Sequence, residues 1–193
     1  MKKPLAVIIM GAAVDAPHCA AIESALKGFG IETETRVASA HKTPAALLDI
    51  LNYYESSGRP RVYITVAGLS NALSGFVDGA VDAPVISCPP TSDAFGGADL
   101  YSSIRLPGGI APGLVLNPGS AALLAAKILG LVDPAIAEAA GALRRANAQK
   151  TVAEDRIMQE KGAAAVAASL ADKSPAQKTG TAAGAQKKRG GRA

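Results

Sequence analysis

Two histidines stand in 193 residues, and one of them, His41, sits in Ser39-Ala40-His41-Lys42-Thr43-Pro44, where a strand-like alternation gives way to a helix-like pattern. Imidazole has the ordinary side-chain pKa nearest neutrality, so one well-placed histidine takes and returns a proton without a metal. Taken alone, a histidine in such a loop is more often a capping or surface residue than a catalyst. The other chemistry-bearing residues are plainer. His18 and Cys19 are adjacent, and neighbours on a helix point apart, so they read as helix surface and core and not as a metal pair. Cys88 precedes two prolines with no base partner in sequence, which suits a buried structural thiol. Asp15 stands where the N-cap of the first helix belongs. Gly108-Gly109 reads as a turn.

The elements that must hold these residues follow from hydrophobic patterning. The run 5–10, Leu-Ala-Val-Ile-Ile-Met, lies between Pro4 and Gly11 and suits a central parallel strand buried on both faces. A helix follows over 17–29, with Ile22, Ala25, Leu26 and Phe29 at helical spacing and Gly30 as its stop. Residues 32–37 alternate as a shorter strand. Pro44 then opens a second helix carrying Leu47, Leu48 and Leu51. Strands at 62–67, 84–88 and around Val115, helices near 71–77 and 120–131, and a last helix from 134 to about 160 complete the pattern. Strand and helix in alternation predict a three-layer α/β/α sandwich with a parallel sheet and right-handed crossovers. Such sheets bind ligands at the carboxyl ends of their strands, which brings segments 11–15, 39–44, 67–71 and 87–90 to one rim.

Composition agrees. The chain is 49% hydrophobic but only 4% aromatic, without tryptophan, which describes an Ala/Val/Ile/Leu core and argues against an aromatic nucleic-acid platform. The formal charge of +4 is uneven: residues 172–193 carry a net +5, leaving about −1 for the rest. Beyond Gly162 the Ala/Gly/Ser/Lys composition, ending in Lys187-Lys188-Arg189 and Arg192, predicts a disordered basic tail, set here at 161–193 against a folded domain at 1–160. Cys19 and Cys88 lack metal-ligand spacing and read as reduced thiols of a cytoplasmic protein. The apolar run after Lys2-Lys3 is too short for a signal peptide, and no stretch reaches a membrane span's length.

Four motifs in order, Ser39-Ala40-His41-Lys42-Thr43-Pro44, Ala67-Gly68-Leu69-Ser70-Asn71, Pro84-Val85-Ile86-Ser87-Cys88-Pro89-Pro90 and Asp99-Leu100-Tyr101-Ser102-Ser103-Ile104-Arg105-Leu106-Pro107, resemble the phosphoribosylaminoimidazole carboxylase family of purine biosynthesis across residues 4–131. Lysine after the histidine and Ser70-Asn71 after Ala-Gly resemble the branch that takes carbon dioxide directly. The related mutase branch usually has arginine and a second histidine at these places.

The resemblance implies a flavodoxin-like fold and a carboxy-lyase joining 5-aminoimidazole ribonucleotide to carbon dioxide, reversibly and without ATP, biotin, metal or other cofactor. It makes His41 the acid/base. It implies that Gly11, Ala12, Val14, Asp15, Ser39, Ala40 and Lys42 surround the ribonucleotide, with Asp15 on the ribose hydroxyls. Ala67, Gly68, Ser70 and Asn71 would wall the carboxyl group. A homo-oligomer, tetramer or octamer, with sites between neighbours is also implied.

Two departures from the family pattern fall at this rim. The first loop normally reads Gly-Ser-x-Ser-Asp, and here it reads Gly11-Ala12-Ala13-Val14-Asp15; Leu69 stands where this branch commonly has arginine. Losing both hydroxyls weakens binding by roughly 0.5–1.5 kcal/mol each. Carboxylase, a member turned to another phosphorylated ligand, and a non-catalytic ribonucleotide binder therefore all stand at this point, beside nucleic-acid contact through the basic tail.

Overall fold

The six apolar residues of β1 (Leu5–Met10) are all buried because the strand lies inside a sheet covered on both sides. A computed structural model describes residues 2–171. Its sheet runs β2-β1-β3-β4-β5, with β2 (Glu32–Val37), β3 (Arg61–Val66), β4 (Val85–Ser87) and β5 (Gly113–Leu114) all paired in parallel. This is the flavodoxin-like order, in which the chain reverses its direction of winding between β1 and β3.

Alternate residues of β1 feed two cores. Ala6, Ile8 and Met10 pack with Ile22 and Leu26 of α1 (Ala16–Gly28) and with Ala121, Ala122, Ala125 and Leu129 of α4 (Pro118–Leu129). Leu5, Val7 and Ile9 pack with Leu47, Leu51 and Tyr54 of α2 (Pro44–Glu55) and with Leu73 and Val77 of α3 (Ala72–Asp78). The period of two in the strand and the helical spacing of its partners produce the expected three layers. The register then sets the site: Met10 lies opposite both Val37 and Val66, so β1, β2 and β3 end level and their following loops emerge side by side.

Three features depart from expectation. Residues Ala94–Ser103 form a 3₁₀ segment, interrupted by left-handed backbone at Phe95, Gly96 and Gly97, that no periodicity announced. Helix α5 (Pro134–Ala171) leaves helical geometry at Gly162 and then resumes, so residues 163–171 are helical and not part of an unfolded tail. Alanine fills much of 163–168 and has the strongest intrinsic helix propensity, which a burial argument alone overlooks. The chain divides into two compact units, the first of which ends at Ala146, ahead of the predicted domain end at residue 160. The basic residues from Lys173 to Arg192 lie outside the described residues. Among the described residues no helix is long and apolar enough to cross a membrane.

Candidate active site

The loop after β2 is closed on itself. The Ser39 N–H donates to Thr43 Oγ1 (2.9 Å), the Lys42 N–H to Ser39 Oγ (3.2 Å), and the Thr43 N–H to the Ser39 carbonyl (2.9 Å). Pro44, which has no N–H to leave unpaired, then starts α2 in its first turn. The ring of bonds engages Ser39 and Thr43 and leaves His41 and Lys42 at the tip, both exposed.

The loop after β1 approaches closely from the side. The Gly11 N–H donates to the Val66 carbonyl at 2.9 Å, and a Cβ at position 11 would stand 3.4 Å from Ala67 Cβ, a van der Waals contact between the two strand ends. The Asp15 N–H closes a short turn onto the Ala12 carbonyl (3.1 Å). Asp15 occupies the N-cap position of α1, yet its side chain makes no capping bond, and the residue lines the cleft. Burial raises the pKa of this carboxyl above the ordinary value, and the charge of His18 opposes that rise.

His18 is not the surface residue its helix position suggested. Its Nε2 lies 3.1 Å from the Cys88 carbonyl and 3.4 Å from Cys88 Sγ, joining α1 to the end of β4. A carbonyl only accepts, so this nitrogen is the donor and not a base toward the thiol. Burial, then the neighbouring Cys19, pushes the Cys88 thiol up to about 12; burial, then Asp15 and Glu23, pushes Cys19 up to about 11. Both stay protonated near neutrality, which keeps them inert.

These loops and the one after β3 enclose a cleft of about 390 Å3. Gly11, Ala12, Val14, Asp15, Ser39, Ala40, His41, Lys42, Ala67, Gly68 and Ser70 all line it, as do Leu69 and Leu73. The cleft thus brings together an imidazole from His41, a cation from Lys42 and a carboxylate from Asp15 among small residues.

Asn71 is not among the lining residues. Its side chain is buried behind the wall, where Oδ1 accepts from the Ser74 N–H (3.2 Å) as the cap of α3, and Nδ2 lies within 3.0 Å of the hydroxyls of Ser74, Ser87 and Ser103. Ser74 Oγ also meets Thr65 Oγ1 (2.9 Å) and Ser87 Oγ (2.8 Å). This buried hydroxyl cluster was not anticipated from the sequence, although Asn71 three residues before Ser74 is cap spacing. Leu73 was also missed, because it is a core residue of α3 that also borders the cleft.

Comparison with known proteins adds a further result. The AIR carboxylase family model matches residues 5–150. The chain is 52% identical over 153 residues to the phosphoribosylaminoimidazole carboxylase of Treponema denticola, covering 79% of this chain and 96% of that protein. It is 53% identical over 133 residues to the Archaeoglobus fulgidus protein of the same name, covering 69% of this chain and 73% of that one. The crystal structure of Treponema denticola PurE superposes with a TM-score of 0.79 at 51% identity, over 81% of this chain and 99% of that one.

Proposed function

The chain belongs to the AIR carboxylase family, and from that premise we propose that it carboxylates 5-aminoimidazole ribonucleotide with carbon dioxide, reversibly and without ATP, in purine biosynthesis. The observation that carries the reading is the convergence of His41, Lys42 and Asp15 on one cleft with the small residues Ala67, Gly68 and Ser70. The electron-rich imidazole carbon attacks carbon dioxide and forms the new C–C bond while still bearing its own hydrogen. His41 removes that proton, the C–H electron pair returns to the ring, and aromaticity is restored. In reverse, protonated His41 delivers the proton to the same carbon and the C–C bond breaks to release carbon dioxide.

Lys42 faces the phosphate or the new carboxylate, and Asp15 accepts from the ribose hydroxyls. Gly11, Ala12 and Val14 bound the nucleotide on one side, with Ser39 and Ala40 opposite. Ala67, Gly68 and Ser70 confine the carboxyl group, with Asn71 behind them. Transfer of a carboxyl group within the ribonucleotide is the less favoured alternative: Lys42 follows the histidine, residues 67–71 include no second histidine, and the relatives are named as carboxylases. A homotetramer or octamer in the cytoplasm completes the reading, with the helices at 118–129 and 134–171 as subunit contacts. Exposed Leu131, Val132 and Leu143 support those contacts.

The test is decarboxylation of 4-carboxy-5-aminoimidazole ribonucleotide, followed by its ultraviolet absorbance without ATP or added metal, beside a His41→Asn control. Turnover in the intact protein alone is expected, with unchanged melting temperature because His41 is exposed. Equal turnover in the variant overturns the mechanism. Absence of turnover and of calorimetric binding redirects the cleft to another phosphorylated ligand.

A further inference from the structure

Leu69 is one of two non-glycine residues with left-handed backbone among the described residues, at φ 57, and it stands in the wall of the cleft. A residue with a Cβ does not rest there unless its surroundings hold it. The restraint comes from the 3₁₀ segment. Ser102 Oγ lies 3.0 Å from the Leu69 carbonyl and 2.7 Å from the Asp99 carbonyl, between which its one proton divides, and it accepts the Asn71 N–H at 2.9 Å. One hydroxyl therefore grips the chain on both sides of Ser70.

The next residue strengthens the grip. Ser103 is buried, and its Oγ lies 2.9 Å from Asn71 Nδ2, which ties the same segment to the cluster of Ser74, Ser87 and Thr65 beneath the wall. Leu69 and Ser103 also line a second, smaller cavity of about 100 Å3, which shares Ala67, Gly68 and Leu69 with the cleft. Residues 67–69 thus border open space in both cavities, and the hydrogen bonds of Ser102 hold the chain at Leu69 and Asn71.

We infer that Ser102, which does not line the cleft, is a positioning residue: it clasps the Leu69 carbonyl and the Asn71 amide, holds Leu69 left-handed, and so sets the wall against which the carboxyl group reacts. The role rests on the carboxylase reading. A hydroxyl that merely stabilised the fold would cost stability when removed but would have no special relation to the backbone at position 69. A hydroxyl that holds Leu69 left-handed becomes largely dispensable once residue 69 is glycine, which adopts that conformation unaided.

Steady-state decarboxylation is compared in the full-length protein, Ser102→Ala, Leu69→Gly and the double variant, together with hydrogen exchange at the amides of residues 69–71. Ser102→Ala is expected to lower kcat about tenfold with KM changed less than threefold, because the nucleotide is bound mainly by the other two loops. The same substitution in the Leu69→Gly background is expected to change kcat less than threefold. Exchange at the Asn71 amide, whose acceptor is removed, should quicken at least tenfold in Ser102→Ala. An unchanged kcat, an equal loss in both backgrounds, or unchanged exchange at Asn71 overturns the clasp. Absence of turnover in the unsubstituted protein counts against the carboxylase reading instead, and exchange then decides the clasp by itself.

Discussion

The loops at 11–15 and 67–71 lie side by side and line one cleft but are held in opposite ways. The first is fixed through its backbone, by Gly11 on the Val66 carbonyl and Asp15 on the Ala12 carbonyl, while Ala12, Ala13 and Val14 contribute no hydrogen-bonding side chain. The second is fixed from below by side chains, through Asn71, Ser74, Ser87, Thr65, Ser102 and Ser103. A loop held by its backbone exchanges side chains at little structural cost. This explains how the first loop differs from the family's Gly-Ser-x-Ser-Asp pattern while the fold is kept. A loop held by a buried polar cluster does not have that freedom, since losing its central partner leaves other buried polar groups unsatisfied.

Asn71→Ala therefore should produce the largest change in stability. It removes the cap of α3 and both donors of a buried amide, so urea unfolding is expected to show a loss of about 2–4 kcal/mol. Ser103→Ala should cost far less. The amide has two protons and three hydroxyls within 3.0 Å, and both protons keep an acceptor when one hydroxyl goes. Equal losses in these two variants would show that Asn71 is not the hub of the cluster, and a loss for Asn71→Ala no larger than that of the first-loop variants would dissolve the contrast between the loops.

The opposite expectation holds for the first loop. Ala12→Ser together with Val14→Ser restores two hydroxyls at a rim where Val14 is 81% exposed. Position 12 is the extended N-cap of the short turn Ala13–Asp15 and now lacks a capping side chain, so stability should rise by no more than about 1 kcal/mol. KM for the ribonucleotide should fall by roughly tenfold or more, as two ligand hydrogen bonds return. Unchanged KM in initial-rate assays would mean that the cleft recognises its ligand without those hydroxyls.

How much of this was legible depended on whether the controlling interaction was local. The bounds of β1 and β2 coincide with expectation because Pro4 and Gly11 punctuate an apolar run and 32–37 alternates cleanly. The cleft was legible because strand ends in a parallel sheet converge by topology, and motif order supplied the residues. Ser87 and Thr65 gave no such signal: a hydroxyl in a buried strand reveals nothing until its partner from another loop is known. His18 was misplaced because helical spacing tells which residues share a face and not what that face meets, here the carbonyl of Cys88. Residues 94–103 escaped because their turn depends on left-handed backbone at Phe95, Gly96 and Gly97 and has no period to find.

The smallest predicted effect concerns the one charged side chain of the first loop. Burial holds the Asp15 carboxyl above its ordinary pKa, and His18 pulls the other way. The sign for folding is the reverse of the usual acidic group: because the folded pKa lies above the unfolded one, Asp15 makes the fold less stable as pH rises through that interval. For the substrate the sign is opposite, since only the carboxylate accepts from ribose hydroxyls, and binding weakens as pH falls through the folded value. The limb that Asp15 sets in kcat/KM should therefore lie above the ordinary value of an aspartate. His18→Gln keeps a donor toward the Cys88 carbonyl but removes the charge, so the limb should move further up in pH with little change at the plateau. A downward shift, or none, in the pH profile of that variant would show that His18 does not tune Asp15, leaving the first loop governed by its backbone alone.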